Sequence, residues 1–226
     1  MTVNLKEAYE SAPETEDIVI NESEIMTFTT NFCYLGSVID FLIGDTTDVK
    51  SRVNKAIKAM GALGFIWKAP QTCLDTKIKL FLAIPVNLAL WNCETWSGNK
   101  MDMDILDVFF HKSIRRILGI NMTEVKEKSI SNIKLRKRFG NVNSLSHIMT
   151  CRMLKFVGRT VRQDPRMLSR RMLTSFTPGK LIRGRPFRTN RDAIVEAIRA
   201  LIPSTPESAP TKYWYGYAYD VMTWEK

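Results

Sequence analysis

Between residues 25 and 43 apolar and polar positions alternate in short runs, Phe32-Cys-Tyr-Leu before Gly36 and Val38-Ile-Asp after it. Such alternation predicts strands rather than helix. Two short strands are expected, with a turn near Thr30-Asn31 or near Gly36. From residue 46 the period lengthens. Val49, Val53, Ile57, Met60 and Leu63 predict one face of a helix over 46–67, with Arg52, Lys55 and Lys58 off that face and Ala69-Pro70 ending it. A second helix is predicted over 74–91, kinked where Pro85 removes a backbone donor. A third, over 104–118, carries Ile105, Leu106, Phe109, Ile114 and Ile117 inward. Asp102 or Asp104 suits its start, Arg115 and Arg116 its last turn, and Gly119 its stop. Further helices are predicted over 131–139, 144–162, 166–175 and 190–201. The apolar positions of the 144–162 helix are Leu145, Ile148, Met149, Phe156 and Val157, and a Gly- and Pro-containing loop occupies 177–189. The fold class is therefore mainly α, a short N-terminal β-hairpin followed by a bundle of about five to six helices.

Composition divides the chain further. Residues 1–24 hold seven acids, one Lys and few large apolar groups, which predicts a disordered acidic N-terminus. Residues 25–120 form the hairpin and first helices, 121–203 a basic helical region, and 204–226 an aromatic tail. The run "YWYGYAY" in that tail suits packing onto the body better than base stacking. With 226 residues and 45% hydrophobic content the chain can build a core. The four cysteines are far apart and the only histidines are His111 and His147, which is neither zinc spacing nor a disulfide framework. Reduced, mostly buried thiols are expected, in a nuclear or cytoplasmic protein. No secretory pattern opens the chain. Its most apolar run, 80–91, spans 12 residues interrupted by Pro85 and Asn87, too short for a bilayer. No membrane partner and no small-molecule substrate is expected.

Charge changes the picture most. The formal net charge is +10. From Lys134 to Arg191 there are 16 Lys or Arg and one acid, Asp164, so this quarter of the chain carries +15 and the remainder −5. So basic a unit repels itself unless an anion lies against it. Most of these bases are Arg, whose forked donors match phosphate. RNA or DNA, held with low specificity, is the expected partner. The candidate contacts are Arg136, Lys137, Arg138, Arg152, Lys155, Arg159, Arg162, Arg170, Arg171, Lys180, Arg183, Arg185 and Arg188.

Candidate chemistry is sparse. Metal-assisted phosphoryl transfer needs converging acids, and the chain has no Asp-Asp pair; Asp102 and Asp104 stand two apart, which on a helix sends them to different faces. Glu94, a lone acid in apolar sequence, is expected to pair with an Arg or a backbone donor, and His111 to be a partly buried structural residue. No phosphate-binding glycine loop occurs. No catalytic residue, metal ligand or cofactor is assigned. The run "IRGRPFR" contains Arg183-Gly184-Arg185-Pro186, the core of the AT-hook, which lies in the narrow minor groove of A·T-rich DNA. Minor-groove insertion, general phosphate contact and an incidental basic loop all remain open for it.

The order of the pieces resembles a known family. "FCYLGSVI" (Phe32, Tyr34, Leu35, Gly36, Ser37) precedes "DVKSRVNKAIKAMGAL" (Asp48, Val49, Arg52, Val53, Ala56). Next come "LWNCETW" (Leu90, Trp91, Glu94, Trp96) and "RRILGI" (Arg116 through Ile120). Together these resemble the segment after the polymerase palm in reverse transcriptases of non-LTR, LINE-type retrotransposons, over residues 28–195. Trp91 and Asn92 stand where that family has Tyr and Gly. The resemblance implies a primer-grip-like hairpin, thumb-like helices that hold a primer–template duplex by its backbone, and a basic region beyond. The family's catalytic Asp phrases are not in this sequence, so a truncated, non-catalytic remnant that at most binds nucleic acid is expected. The alternatives are an AT-hook-like DNA-binding module around Arg183–Pro186, or a degenerate gene product without a molecular role.

Overall fold

The computed structural model describes residues 18–21, 24–26, 29–40, 44–174, 190–201 and 218. It is mainly helical, with β-hairpins at its N-terminal end. Strands β1 (Ile18–Asn21) and β2 (Glu24–Met26) pair antiparallel, Ile18 opposite Met26. β1 falls in the segment expected to be disordered. The acids of residues 1–24 dominate its average composition and hide the β-branched run Ile18-Val-Ile, which favours a strand. Residues 1–17 lie outside the described residues.

β3 (Asn31–Tyr34) and β4 (Ser37–Asp40) form the expected hairpin, with Phe32 opposite Ile39 and Cys33 opposite Val38. The turn is at Leu35-Gly36, with φ of 48° and 83°. A two-residue loop whose central residues both have positive φ matches the right-handed twist of the flanking strands, and this selects Gly36 over Thr30-Asn31 as the reversal.

The helix predicted over 46–67 is two: α1 (Thr46–Ala62) and α2 (Gly64–Lys68), separated at Leu63. The Trp67 indole N–H donates to the Met60 carbonyl at 3.1 Å and links α2 to the last turn of α1. α3 (Leu74–Phe81) runs into a π-helical turn (Leu82–Val86) and then α4 (Asn87–Ala89). Pro85 lies within the wide turn, which accommodates the missing donor. A 3₁₀ turn (Cys93–Thr95) leads to α5 (Lys100–Leu118). Its cap is Asn99 rather than Asp102 or Asp104. The Asp102 N–H donates to Asn99 Oδ1 (2.9 Å) and the Asn99 amide donates back to Asp102 Oδ2 (2.6 Å). This reciprocal pair starts the helix four residues earlier than the apolar pattern does. α6 (Met122–Glu127), unpredicted, follows the Asn121 cap. α7 (Asn132–Arg138), α8 (Leu145–Val161), α9 (Leu168–Thr174) and α10 (Asn190–Leu201) complete the described chain.

Two hydrophobic clusters form. The larger joins Val49, Val53, Ala56 and Met60 of α1 to Phe81, Leu90, Leu106, Phe110, Ile114, Phe139 and Leu145. At its centre Phe81 lies 5.7 Å from both Phe110 and Phe139, centroid to centroid. The smaller joins Leu154, Val157 and Val161 of α8 to Ile194, Ala197 and Ala218. Three facial assignments are corrected. Ile57 is 50% and Phe156 45% exposed, while Arg52 is 5% exposed. Ala56 and Leu154 take the inward positions, so each helix is rotated by a fraction of a turn from the face its largest residues suggest.

Candidate nucleic-acid interface

Arg152, Lys155 and Arg159 on α8, and Arg162 at its C-cap, recur at spacings of three and four, so they share one face. The structure gives them different work. Arg152 donates from Nη1 to the Leu90 carbonyl (3.3 Å) and from Nη2 to Asn87 Oδ1, tying α8 to the end of the kinked helix. Arg162 donates to the Ala218 carbonyl (2.8 Å); the other residues of the aromatic tail, and the packing expected of them, lie outside the described residues. Between these anchors Lys155 and Arg159 are exposed, and exposed Phe156 lies beside them. On α9, Arg170 is half-buried and donates to the Gln163 carbonyl (2.5 Å), whereas Arg171 is exposed. Lys180, Arg183, Arg185 and Arg188, and with them the AT-hook-like run, lie outside the described residues.

Arg136, Lys137 and Arg138 form the last turn of α7, where cations complement the helix dipole. Arg138 and Lys137 are exposed and Arg136 half-exposed. Gly140 and Asn141 then take left-handed φ of 73° and 54°, and the Asn141 N–H donates to the Arg136 carbonyl (2.9 Å). This reversal leads into α8, whose cap Ser144 accepts the His147 N–H (3.3 Å). The result is an open cleft of about 180 Å³ lined by Ile133, Arg136, Lys137, Asn141, Val142, Asn143, Ser144 and His147. Sequence reasoning missed Asn141, Asn143, Ser144 and His147. The signal available was a stop at Gly140-Asn141 followed by a cap at Ser144, which makes the α7–α8 connection short and brings the basic end of one helix to the start of the next.

The hairpin is held by a separate polar network. Asp48 and Arg52 are a buried i,i+4 ion pair, 3.4 Å apart. Asp48 Oδ1 accepts the Val38 N–H of β4 (2.9 Å) and its Oδ2 the Trp96 indole N–H (3.2 Å). Arg52 Nη2 donates to Ser37 Oγ (2.9 Å), which also accepts from Asn92 (3.1 Å). The Arg52 guanidinium lies 5.9 Å from the Trp91 ring centroid. Asn92 has φ of 63°. Arg52 Nε has no hydrogen-bond partner among the described residues, but the remaining bonds of Asp48 and Arg52 tie the hairpin to α1.

His111 is buried, and its Nδ1 lies 2.8 Å from the Asp107 carbonyl, to which it donates. Glu94 has neither an ion pair nor a side-chain hydrogen bond to a backbone donor among the described residues, contrary to expectation. Its charge instead adds to burial, the larger cause, in pushing the Cys93 thiol up to about 12. All four thiols are free, but Cys33 and Cys73 are exposed rather than buried. Among the described residues no group of three or more His, Cys, Asp or Glu is placed to hold a metal ion, and no helix is long and apolar enough to cross a membrane. No protein-family model, no curated protein and no solved structure matches the chain.

Proposed function

We propose that this protein binds RNA or DNA through the phosphate backbone, with low sequence specificity and without catalysis, and that it derives from the thumb and downstream basic part of a non-LTR retrotransposon reverse transcriptase. The observation that carries the binding role is the set of cations at the α7 end, on α8 and on α9. Arg136, Lys137, Arg138, Lys155, Arg159 and Arg171 have no ion pair among the described residues, because the local sequence offers them no acid except Asp164, which Arg166 contacts at 3.4 Å. Cations left without acidic partners are available to phosphate.

The proposed origin has its own support. Residues from the resembling phrases, Ser37, Asp48, Arg52, Trp91 and Trp96, meet in one network around the hairpin although they are far apart in sequence. Asn92, where the family has Gly, adopts left-handed φ, the conformation for which Asn is the best substitute.

If the six cations each neutralise one phosphate, the logarithm of duplex affinity falls against that of salt with a slope of about −5. Affinity then drops on the order of 10³-fold between 50 and 200 mM salt. A fluorescence-anisotropy titration at several salt concentrations measures this. A flat response removes the proposed function. The same protein is expected to add no nucleotide to a primer–template supplied with magnesium and triphosphates.

A further inference from the structure

The cleft between α7 and α8 differs from the exposed face of α8 in that its polar groups converge. Arg136 and Lys137 line it from one helix, Asn141 and Asn143 from the connecting loop, and Ser144 and His147 from the other helix. No acid lines it, and the ion pairs among the described residues lie elsewhere. Two cations, one of them a planar fork, and two carboxamide donors suit a group with several acceptor oxygens around one centre, which is the chemistry of phosphate. Ser144 Oγ already accepts a backbone N–H of α8, so the side-chain cations rather than the helix end supply the attraction.

Size narrows the ligand. Sites that enclose a drug-sized molecule measure about 300–1,000 Å³; the cleft, at about 180 Å³ and open to solvent, takes one group and leaves the rest of a nucleotide outside. We infer that the α7–α8 cleft is a seat for a single phosphate group of the bound strand. Resting on the function proposed above, this makes the cleft the fixed contact of an otherwise diffuse interface. The group is either an internal phosphodiester or a terminal phosphate.

Inorganic phosphate is the direct probe, titrated against the full chain at constant ionic strength with chloride as the balancing anion. The Asn141 and Asn143 side-chain amide resonances are expected to shift saturably. Arg136→Gln with Lys137→Gln should weaken that binding about tenfold or more. Asn143→Asp, which places a like charge at an exposed position of the cleft, should do the same with little risk to folding. Lys55→Gln with Lys58→Gln removes equal charge at exposed positions of α1 that do not line the cleft and should leave phosphate binding unchanged. Duplexes with and without 5′-phosphates separate the two sources: equal affinity assigns the seat to an internal phosphodiester, and tighter binding of the phosphorylated duplex to a terminus.

Non-saturating shifts, or equal losses from the cleft and α1 variants, overturn the seat. Salt-dependent duplex binding would survive that result, so failure of the seat and failure of the nucleic-acid reading are distinguishable.

Discussion

Gly119 and Gly140 both hold left-handed backbone, with φ of 69° and 73°, but only one is crowded. A Cβ at Gly119 meets nothing within 4 Å, whereas one at Gly140 meets Ile78 Cδ1 at 2.8 Å. Gly119→Ala should therefore cost the conformational term alone, about 1–2 kcal/mol. Gly140→Ala should cost more, by whatever Ile78 must shift. Urea unfolding of the two variants measures the difference; equal losses would mean that Ile78 yields freely. Both glycines were legible as helix stops, but the packing of Ile78 against Gly140 was not, because the two are distant in sequence. The cysteines divide in the same way. The Thr76 hydroxyl, 3.1 Å from Cys73 Sγ, holds that exposed thiol below its ordinary range, while burial pushes Cys93 up to about 12. The thiolate is the reactive species. Native protein at neutral pH should be alkylated at Cys73 first and at Cys93 only after unfolding, as peptide mass mapping over time would show.

At the scale of elements, the docking of the β3–β4 hairpin on α1 carries the clearest energetic consequence. Asp48→Asn keeps the shape of the side chain but leaves the Arg52 guanidinium buried without its counter-charge. Breaking such a pair costs about 3–5 kcal/mol. Ser37→Ala removes one acceptor and should cost about 1 kcal/mol. Chemical denaturation of both variants, with Trp96 fluorescence as a local reporter, tests the ranking; a cost for Asp48→Asn no larger than for Ser37→Ala would show the pair to be hydrated. This network was invisible to the helical pattern. Periodicity assigns polar residues to solvent, so Arg52 was placed off the buried face, and only a partner one turn away and a strand edge above it make its burial tolerable. By contrast an irregularity at Pro85 was legible, because a missing N–H disrupts the α-helical ladder wherever that helix packs; it takes the form of a π-helical turn.

At the scale of the whole molecule, α8 belongs to both hydrophobic clusters: Leu145 and Met149 to the larger, Leu154, Val157 and Val161 to the smaller. Among the described residues the smaller cluster includes few large side chains, and it sits in the most basic part of the chain, where self-repulsion works against it. Native-state hydrogen exchange should find amides of α5 around Phe109–Ile114 protected to the global limit. Those of α10 should exchange through a lower-energy opening, one that an added duplex suppresses. Uniform protection across both helices would instead mark one cooperative unit. The sequence by itself determined what acts locally: the hairpin from its alternation, most helices from their period, the stops from Gly and Pro, and the concentration of positive charge. Tertiary structure alone decided which charges remain available. Arg52, Arg152 and Arg162 look like their neighbours in sequence, but each meets an acceptor brought from elsewhere in the chain. Among the described residues Arg136 and Lys137 meet none with their side chains, and both line a cleft. The physical reason is that hydrogen bonding depends on what lies within about 3 Å, and for these residues that neighbourhood is created only when the helices pack.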